Sequence, residues 1–331
     1  METIDFVLPW VDSSDPEWIR DKAKYADTAL TGNEAERFRD WDQLRYWFRG
    51  VEQFAPWVNK IHFITCGHVP DWLNLDHPKL NWVRHEDYIP KEYLPVFSCN
   101  PIELNLHRIE GLAEKFVYFN DDIFLIDHVK PSDFFRNELP CSSPGLAITG
   151  KVTHTYAGIL YSCYCFINKH FDSRQVMKQQ LGKFLHPANG LKRNLLTLLL
   201  MPYCTEFFPG LYSTHAPNAY LKQTLQEVWE ADPEALHETC THRFRTSSDL
   251  AQNVFLWWQW CSGRVVPHNS RKLNTYLTVL SEDEQLIHTI TKHPTPIVNI
   301  NDDKDADFEQ KKAVINGAFD IALGKKSSFE K

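Results

Sequence analysis

Short apolar runs, each stopped by a cluster of polar turn residues and followed by a helix-like stretch, recur through this sequence, and that rhythm limits its fold more than any other feature. Ile4 to Leu8 is such a run; it stops at Pro9 and reads as a buried strand. The next cluster, Asp12-Ser13-Ser14-Asp15-Pro16, supplies a turn and a helix start, with Asp15 as N-cap and Pro16 at the first helical position. Further along, the pattern predicts a helix from Trp41 to Phe54, strands over Lys60 to Thr65 and Leu80 to Arg84, a helix from Pro101 to Glu114, and a strand from Phe116 to Phe119. Alternation of this kind implies an α/β layer with a largely parallel sheet. From about Asn168 the texture turns helical, with stretches over Asp172 to Lys183, Leu191 to Leu200, Ala219 to Trp229 and Asp249 to Trp260. The expected organisation is an α/β core over 1–165 and a mainly helical part over 166–331 completing the same catalytic unit, with a frayed polar tail from Gly324.

Charge and composition narrow the function. The net charge of -8 argues against a broad grip on nucleic acid, so a phosphate-bearing ligand must be met by a local cluster of Arg, Lys or backbone amides. The 11 Trp residues serve a large core and also offer platforms for sugar rings. Met1 leads directly into the first apolar run without a basic or long apolar leader, and the run from Leu195 to Met201 is far short of the roughly 20 residues that span a bilayer. A cytoplasmic protein with at most peripheral contact at the inner membrane face is expected. The 8 Cys residues are scattered without metal-knuckle or redox spacing, as expected of reduced thiols.

The sharpest chemical signal is Asn120-Asp121-Asp122, where a strand delivers adjacent carboxylates between two apolar runs. Two acids there are costly to bury unpaired, and Mg²⁺ or Mn²⁺ shared with substrate phosphate oxygens would relieve that cost; the alternative is a solvated turn. In the first turn, Asp12, Ser14 and Asp15 are candidates for a nucleotide's ribose or base, or simply helix caps. Arg37, Arg45 and Arg49 surround the helix from Trp41, as a diphosphate clamp or as an exposed basic face. Glu103, His107 and Glu110, with Arg108 beside them, form one polar stripe on the helix after Pro101; the stripe suits an acceptor sugar or metal, or plain solvation. His215 and Arg245 each stand just before a predicted helix, and Asn301-Asp302-Asp303 is a second acid cluster after an apolar pair.

In this order the pieces resemble the four blocks of the Stealth family, which includes bacterial capsule phosphotransferases and the animal enzyme that adds N-acetylglucosamine-1-phosphate to lysosomal glycoproteins. The first block runs from Ile4 through Trp10 to Pro16, and the second from Arg37 through Ser98 to Leu125. The third runs from His215 to Asp249, and the fourth begins at Ile297. The resemblance implies a fold similar to the nucleotide-sugar-binding layer of glycosyltransferases. It implies transfer of a sugar-1-phosphate from a nucleoside-diphosphate sugar, usually uridine-linked, to a hydroxyl of a growing, lipid-linked glycan, with a divalent metal. Carried over by motif, Asp12 and Asp15 line the nucleotide site with Trp10 and Ser98 nearby. Asp121 and Asp122 supply metal binding and the general base, His215 and Arg245 meet the diphosphate, and Asn301 and Asp302 close the site, with Asp302 as a second metal ligand. Gln43, Cys99 and His68 depart from the family's usual acid, Ser and Gln. The rival readings are a metal-dependent glycosyltransferase releasing UDP and a non-catalytic glycan-binding subunit.

Overall fold

The computed structural model describes residues 3–26 and 39–331, so Arg37 lies outside the described residues. Eleven strands are assigned among them: β1 (Ile4–Pro9), β2 (Ile61–Thr65), β3 (Leu80–Arg84), β4 (Lys115–Tyr118), β5 (Ile123–Leu125), β6 (Phe135–Arg136), β7 (Leu139–Ser142), β8 (Asn218–Leu221), β9 (Val266–Pro267), β10 (Asn274–Thr278) and β11 (Ile297–Asn301). The central sheet has the order β3-β2-β1-β4-β8. Its first four strands are parallel and β8 runs antiparallel to β4. A second sheet, β10-β11-β5, joins β5 antiparallel to β11, and β6, β7 and β9 make a small third sheet.

The helices are α1 (Pro16–Tyr25), α2 (Leu44–Phe54), α3 (His85–Tyr88), α4 (Cys99–Leu104), α5 (Pro131–Phe134), α6 (Thr155–His170), α7 (Ser173–Phe184), α8 (Leu191–Leu200), α9 (Lys222–Ala231), α10 (Pro233–Thr241), α11 (Asn253–Cys261), α12 (Ser270–Leu273), α13 (Asp283–Lys292) and α14 (Phe308–Leu323). Strand side chains alternate between the two faces of the sheet, so each face builds its own core. Ile4, Phe6 and Leu8 pack with Val117 and Phe119 beneath α2, α13 and α14. Val7, Phe116 and Tyr118 pack on the other face with α4, α6, α9 and α11.

One acid interrupts this apolar alternation. Asp5 is fully buried on β1, and its carboxylate accepts from His62 Nε2 at 2.9 Å, Asn59 Nδ2 at 2.8 Å and the amides of Lys60 and Ala113. Burial alone would raise its pKa, but these donors hold it below the ordinary carboxylate value. The acid thereby ties β1 to the turns leading into β2 and β4.

Three expectations are corrected. The helix expected from Pro101 to Glu114 stops as α4 at Leu104, because Asn105 turns its side-chain amide back onto the Pro101 carbonyl at 2.8 Å; a separate 3-10 turn follows over Leu106–Arg108. Glu103, His107 and Glu110 therefore share no helix face. The stretch expected to be helical from Ala219 opens as β8 before turning into α9. The boundary at 165/166 falls inside α6, and β8 and β11 of the second part pair with β4 and β5 of the first. The tail from Gly324 is docked: Phe329 is buried, Asn74 donates its amide to the Phe329 carbonyl at 2.8 Å, and Glu330 pairs with Arg49.

Candidate active site

Parallel strands bring their following loops to one edge of the sheet, where a ligand crevice belongs. The loop after β1 carries Trp10 and Asp12, the loop after β2 carries His68, and the loop after β4 carries Asn120, Asp121 and Asp122. The first two loops are laced together: the Asp12 amide donates to His68 Nε2 at 2.7 Å, and the Trp10 ring lies 5.3 Å from the His68 ring. Burial keeps the His68 pKa below its usual value, which suits a neutral ring accepting that bond. Asp12 Oδ1 accepts from the amide and hydroxyl of Ser14 at 2.8 and 2.6 Å, while Asp15 Oδ1 caps α1 through the Trp18 amide at 2.7 Å. The capping alternative is thus realised for Asp15.

Two antiparallel partners converge on the acid pair. β8 pairs with β4 so that Asn218 lies opposite Tyr118, and continuing that register brings His215 alongside Asp121 and Asp122. His215 Nε2 meets Asp122 at 3.0 and 3.2 Å and Asn120 Nδ2 at 3.3 Å, while Asn274 donates to the His215 carbonyl at 3.1 Å. On the other side, β11 pairs with β5 and the Ile300 amide donates to the Asp122 carbonyl at 3.0 Å, so Asn301 and Asp302 follow directly beside the pair.

The two acids stand in different electrostatic positions. Asp121 keeps solvent-accessible surface while protein closes around it. Desolvation there, with the Asp122 charge next to it, pushes its pKa up to about 7. Asp122 is engaged by His215. Burial works against a charged imidazole, but the hydrogen bond and charge of Asp122, with Asp121 behind it, raise the His215 pKa above its ordinary value.

A second polar group lies on the α4 side. Tyr118 OH donates to Glu103 Oε1 at 2.9 Å, and Gln252 donates its amide and side chain to the same carboxylate at 3.3 Å. Burial raises the Glu103 pKa, with Tyr118 and the charge of Arg245 opposing it. Arg245 Nη2 donates to Cys99 Sγ at 2.7 Å, and burial pushes that thiol up to about 12, so the sulfur it meets is neutral. Tyr156, at the start of α6, feels both Glu103 and Arg245. Tyr118 and Tyr156 had escaped the sequence reading. Tyr118 could have been found from its two-residue spacing with Phe116, which turns it to the α4 face; Tyr156 lies in the stretch between the family blocks and had no signal.

Several candidates are used elsewhere. Arg49 makes a two-pronged pair with Glu330 at 2.7 and 2.9 Å and also donates to the Leu323 carbonyl, so its guanidinium holds the C-terminal segment. Arg45 lies over the Trp72 ring at 5.2 Å. His107 packs 5.9 Å from the Trp229 ring, and burial drives its pKa down to about 4. Arg108 covers the same indole at 5.0 Å and bonds Asn105 at 2.9 Å. Ser98 is buried and caps α4 through the Asn100 amide. Asp302 accepts from Trp41 Nε1 at 3.1 Å and lies 3.6 Å from Arg39. Among the described residues no three His, Cys, Asp or Glu side chains form a ready metal cage. Two adjacent carboxylates do fit a hard divalent cation that draws its remaining ligands from substrate oxygens.

Comparison with known proteins bears directly on this arrangement. Residues 2–28, 37–141 and 214–256 match Stealth protein conserved regions 1, 2 and 3. Capsular polysaccharide phosphotransferase WcwK of Streptococcus pneumoniae is 37% identical over 335 residues, covering 100% of this chain and 99% of its own. The chain belongs to the Stealth family. This Stealth protein is likewise 37% identical over 336 residues to receptor polysaccharide phosphotransferase WefC of Streptococcus oralis, with 100% of both chains covered. Capsular polysaccharide phosphotransferase CpsJ of Streptococcus thermophilus is 47% identical over 73% of this chain and 99% of its own. The Stealth protein is accordingly an enzyme of the phosphotransferase class. The expected fourth block, from Ile297, lies outside the three matched regions. Galactosyltransferase LgtC, 13% identical over 98% of both chains, superposes with a TM-score of 0.37, a likeness too loose to bear on chemistry. All 8 Cys residues are free, and no helix among the described residues is long and apolar enough to cross a membrane.

Proposed function

We propose that this Stealth enzyme transfers a sugar-1-phosphate from a nucleoside-diphosphate sugar, with uridine as the nucleoside, to a hydroxyl of a lipid-linked glycan during surface-polysaccharide synthesis. The observation that carries the reading is the convergence of His215 and the β11 end on Asp121 and Asp122, in a chain whose full-length relatives bear phosphotransferase names. Asp121 is the general base, since its carboxyl reaches the cleft and makes no hydrogen bond to another described side chain. The acceptor hydroxyl gives Asp121 its proton, its oxygen forms a bond to the sugar-proximal phosphorus, and the bond from that phosphorus to the nucleoside monophosphate breaks. The bond between anomeric carbon and oxygen stays intact, so anomeric configuration is kept. His215, held protonated by Asp122, and Arg245 donate to the phosphate oxygens as charge spreads over them. Mg²⁺ or Mn²⁺ held by Asp122, with Asp302 at hand, would add neutralising charge. Asp12 and Trp10 border the donor's nucleoside.

The rival on a comparable sheet is a glycosyltransferase, which breaks the carbon-oxygen bond and releases a nucleoside diphosphate. Incubation with nucleotide sugars, a divalent metal and a glycan acceptor separates the two. The proposal expects a nucleoside monophosphate by chromatography and a phosphodiester resonance in the product by phosphorus NMR. Release of UDP with a phosphorus-free glycan would refute it.

A further inference from the structure

We infer that the outward face of α8 is a docking surface for an anionic lipid bilayer. Helix α8 is two-faced: Arg193, Thr197 and Leu200 are buried, whereas Leu191, Leu195, Leu198 and Leu199 follow helical spacing on the opposite side and are 85%, 55%, 48% and 63% exposed. The stripe is extended by Tyr203, in the turn that directly follows, at 67% exposure. Leu146 donates its amide to Thr197 Oγ1 at 3.1 Å, which brings Ile148, 71% exposed, to the neighbourhood of the helix. Of the large hydrophobic side chains left exposed among the described residues, most fall between Ile148 and Phe207, a concentration that an isolated soluble surface does not require.

Charge selects the occupant. From Ile148 to Phe207 the chain carries Lys151, Lys169, Arg174, Lys178, Lys183 and Lys192 outside the buried Arg193, against the two acids Asp172 and Glu206, with Lys169 paired to Asp232, although the whole chain is at -8. Lys192 is exposed beside the leucine stripe. An apolar stripe with basic neighbours matches the boundary between acyl chains and anionic headgroups, where apolar burial and electrostatic attraction add. A second copy seated on the same patch about a twofold axis would bring this basic segment against itself. An enzyme docked this way works where its acceptor's lipid end is anchored, but the docking itself does not depend on the proposed reaction.

The test is vesicle flotation of the full chain, with no turnover measured. The protein should float with phosphatidylglycerol vesicles, much less with phosphatidylcholine vesicles, and less as salt is raised. The double variant L195E/L199E should partition about ten-fold more weakly, and K192E a few-fold more weakly, with unchanged circular dichroism and melting because all three side chains point outward. Failure of the wild type to float with phosphatidylglycerol, equal flotation with both lipids, or undiminished flotation of L195E/L199E overturns the inference. So does a wild-type dimer in sedimentation velocity that L195E/L199E converts to monomer, since the stripe would then be covered by a second copy.

Discussion

Asp121 and Asp122 are neighbours in sequence with opposite circumstances: one carboxyl makes no hydrogen bond to another described side chain, and the other is engaged by His215. Asp121→Asn should therefore lower turnover by about 10²–10⁴-fold while leaving the melting temperature unchanged or higher, because it removes a repelled charge and breaks no hydrogen bond to another side chain. Asp122→Asn should lose comparable activity and also soften the His215 contact, visible as a drop of the imidazole pKa toward its ordinary value by NMR titration. Arg245 and Glu103 are a harder pair to read. Arg245→Met alone leaves Glu103 buried without its cation and should cost about 3 kcal/mol in denaturant unfolding. Adding Glu103→Gln should return much of that stability, whereas turnover stays low if the guanidinium meets the donor phosphates. Restored turnover in the double variant would remove Arg245 from phosphate binding. At this scale the sequence is legible where a strand end fixes position, as at Asp121 and Asp122. It is silent where an Arg has several competent partners, as at Arg49, because the choice of Glu330 depends on a segment 281 residues away.

Helix α2 shows how an element far from the cleft can govern it. A Cβ on Gly50 would sit 2.3 Å from the Leu125 carbonyl oxygen, on the backbone of β5, which begins one residue after Asp122. In an isolated helix Gly→Ala gains about 1 kcal/mol, but forcing helix and strand apart costs more, and Gly50→Ala should destabilise by about 2 kcal/mol in chemical unfolding. It should also reduce turnover out of proportion to the fraction unfolded, since the displaced strand directly follows the acid pair; unaffected turnover in the folded variant would sever that link. The elements themselves were largely readable. Leu80–Arg84 and Leu191–Leu200 fall where hydrophobic spacing puts them, and β1, β2 and β4 lie within a residue or so of expectation. Legibility failed where short-range chemistry or a distant partner decided. Asn105 competed for a backbone carbonyl and cut a helix short, and β4 recruited Asn218–Leu221 as a strand from a stretch whose later residues are helical.

Viewed as a whole molecule, the chain uses the central sheet to hold the loops after β1, β2 and β4, with the acid pair and His215, at one edge, and carries the apolar stripe of α8 on its surface. The expectation of an α/β fold with a largely parallel sheet was sound because it needed only local periodicity. The antiparallel pairings of β8 with β4 and of β11 with β5 required knowledge of partners 90 or more residues away, and these are what deliver His215 and Asn301 to the acids. That stitching has a consequence for how the enzyme can be taken apart. Residues 147–153 join the bridge at Leu146 to α6 without assigned helix or strand, and most of them are exposed. A backbone break there would leave one piece carrying Asp121 and Asp122 and the other carrying His215 and Arg245, with neither piece able to complete the central sheet alone. Two co-expressed fragments divided after Gly150 should therefore purify as one complex and regain nucleotide-releasing activity that each fragment lacks, so that catalysis itself becomes a readout of fragment complementation.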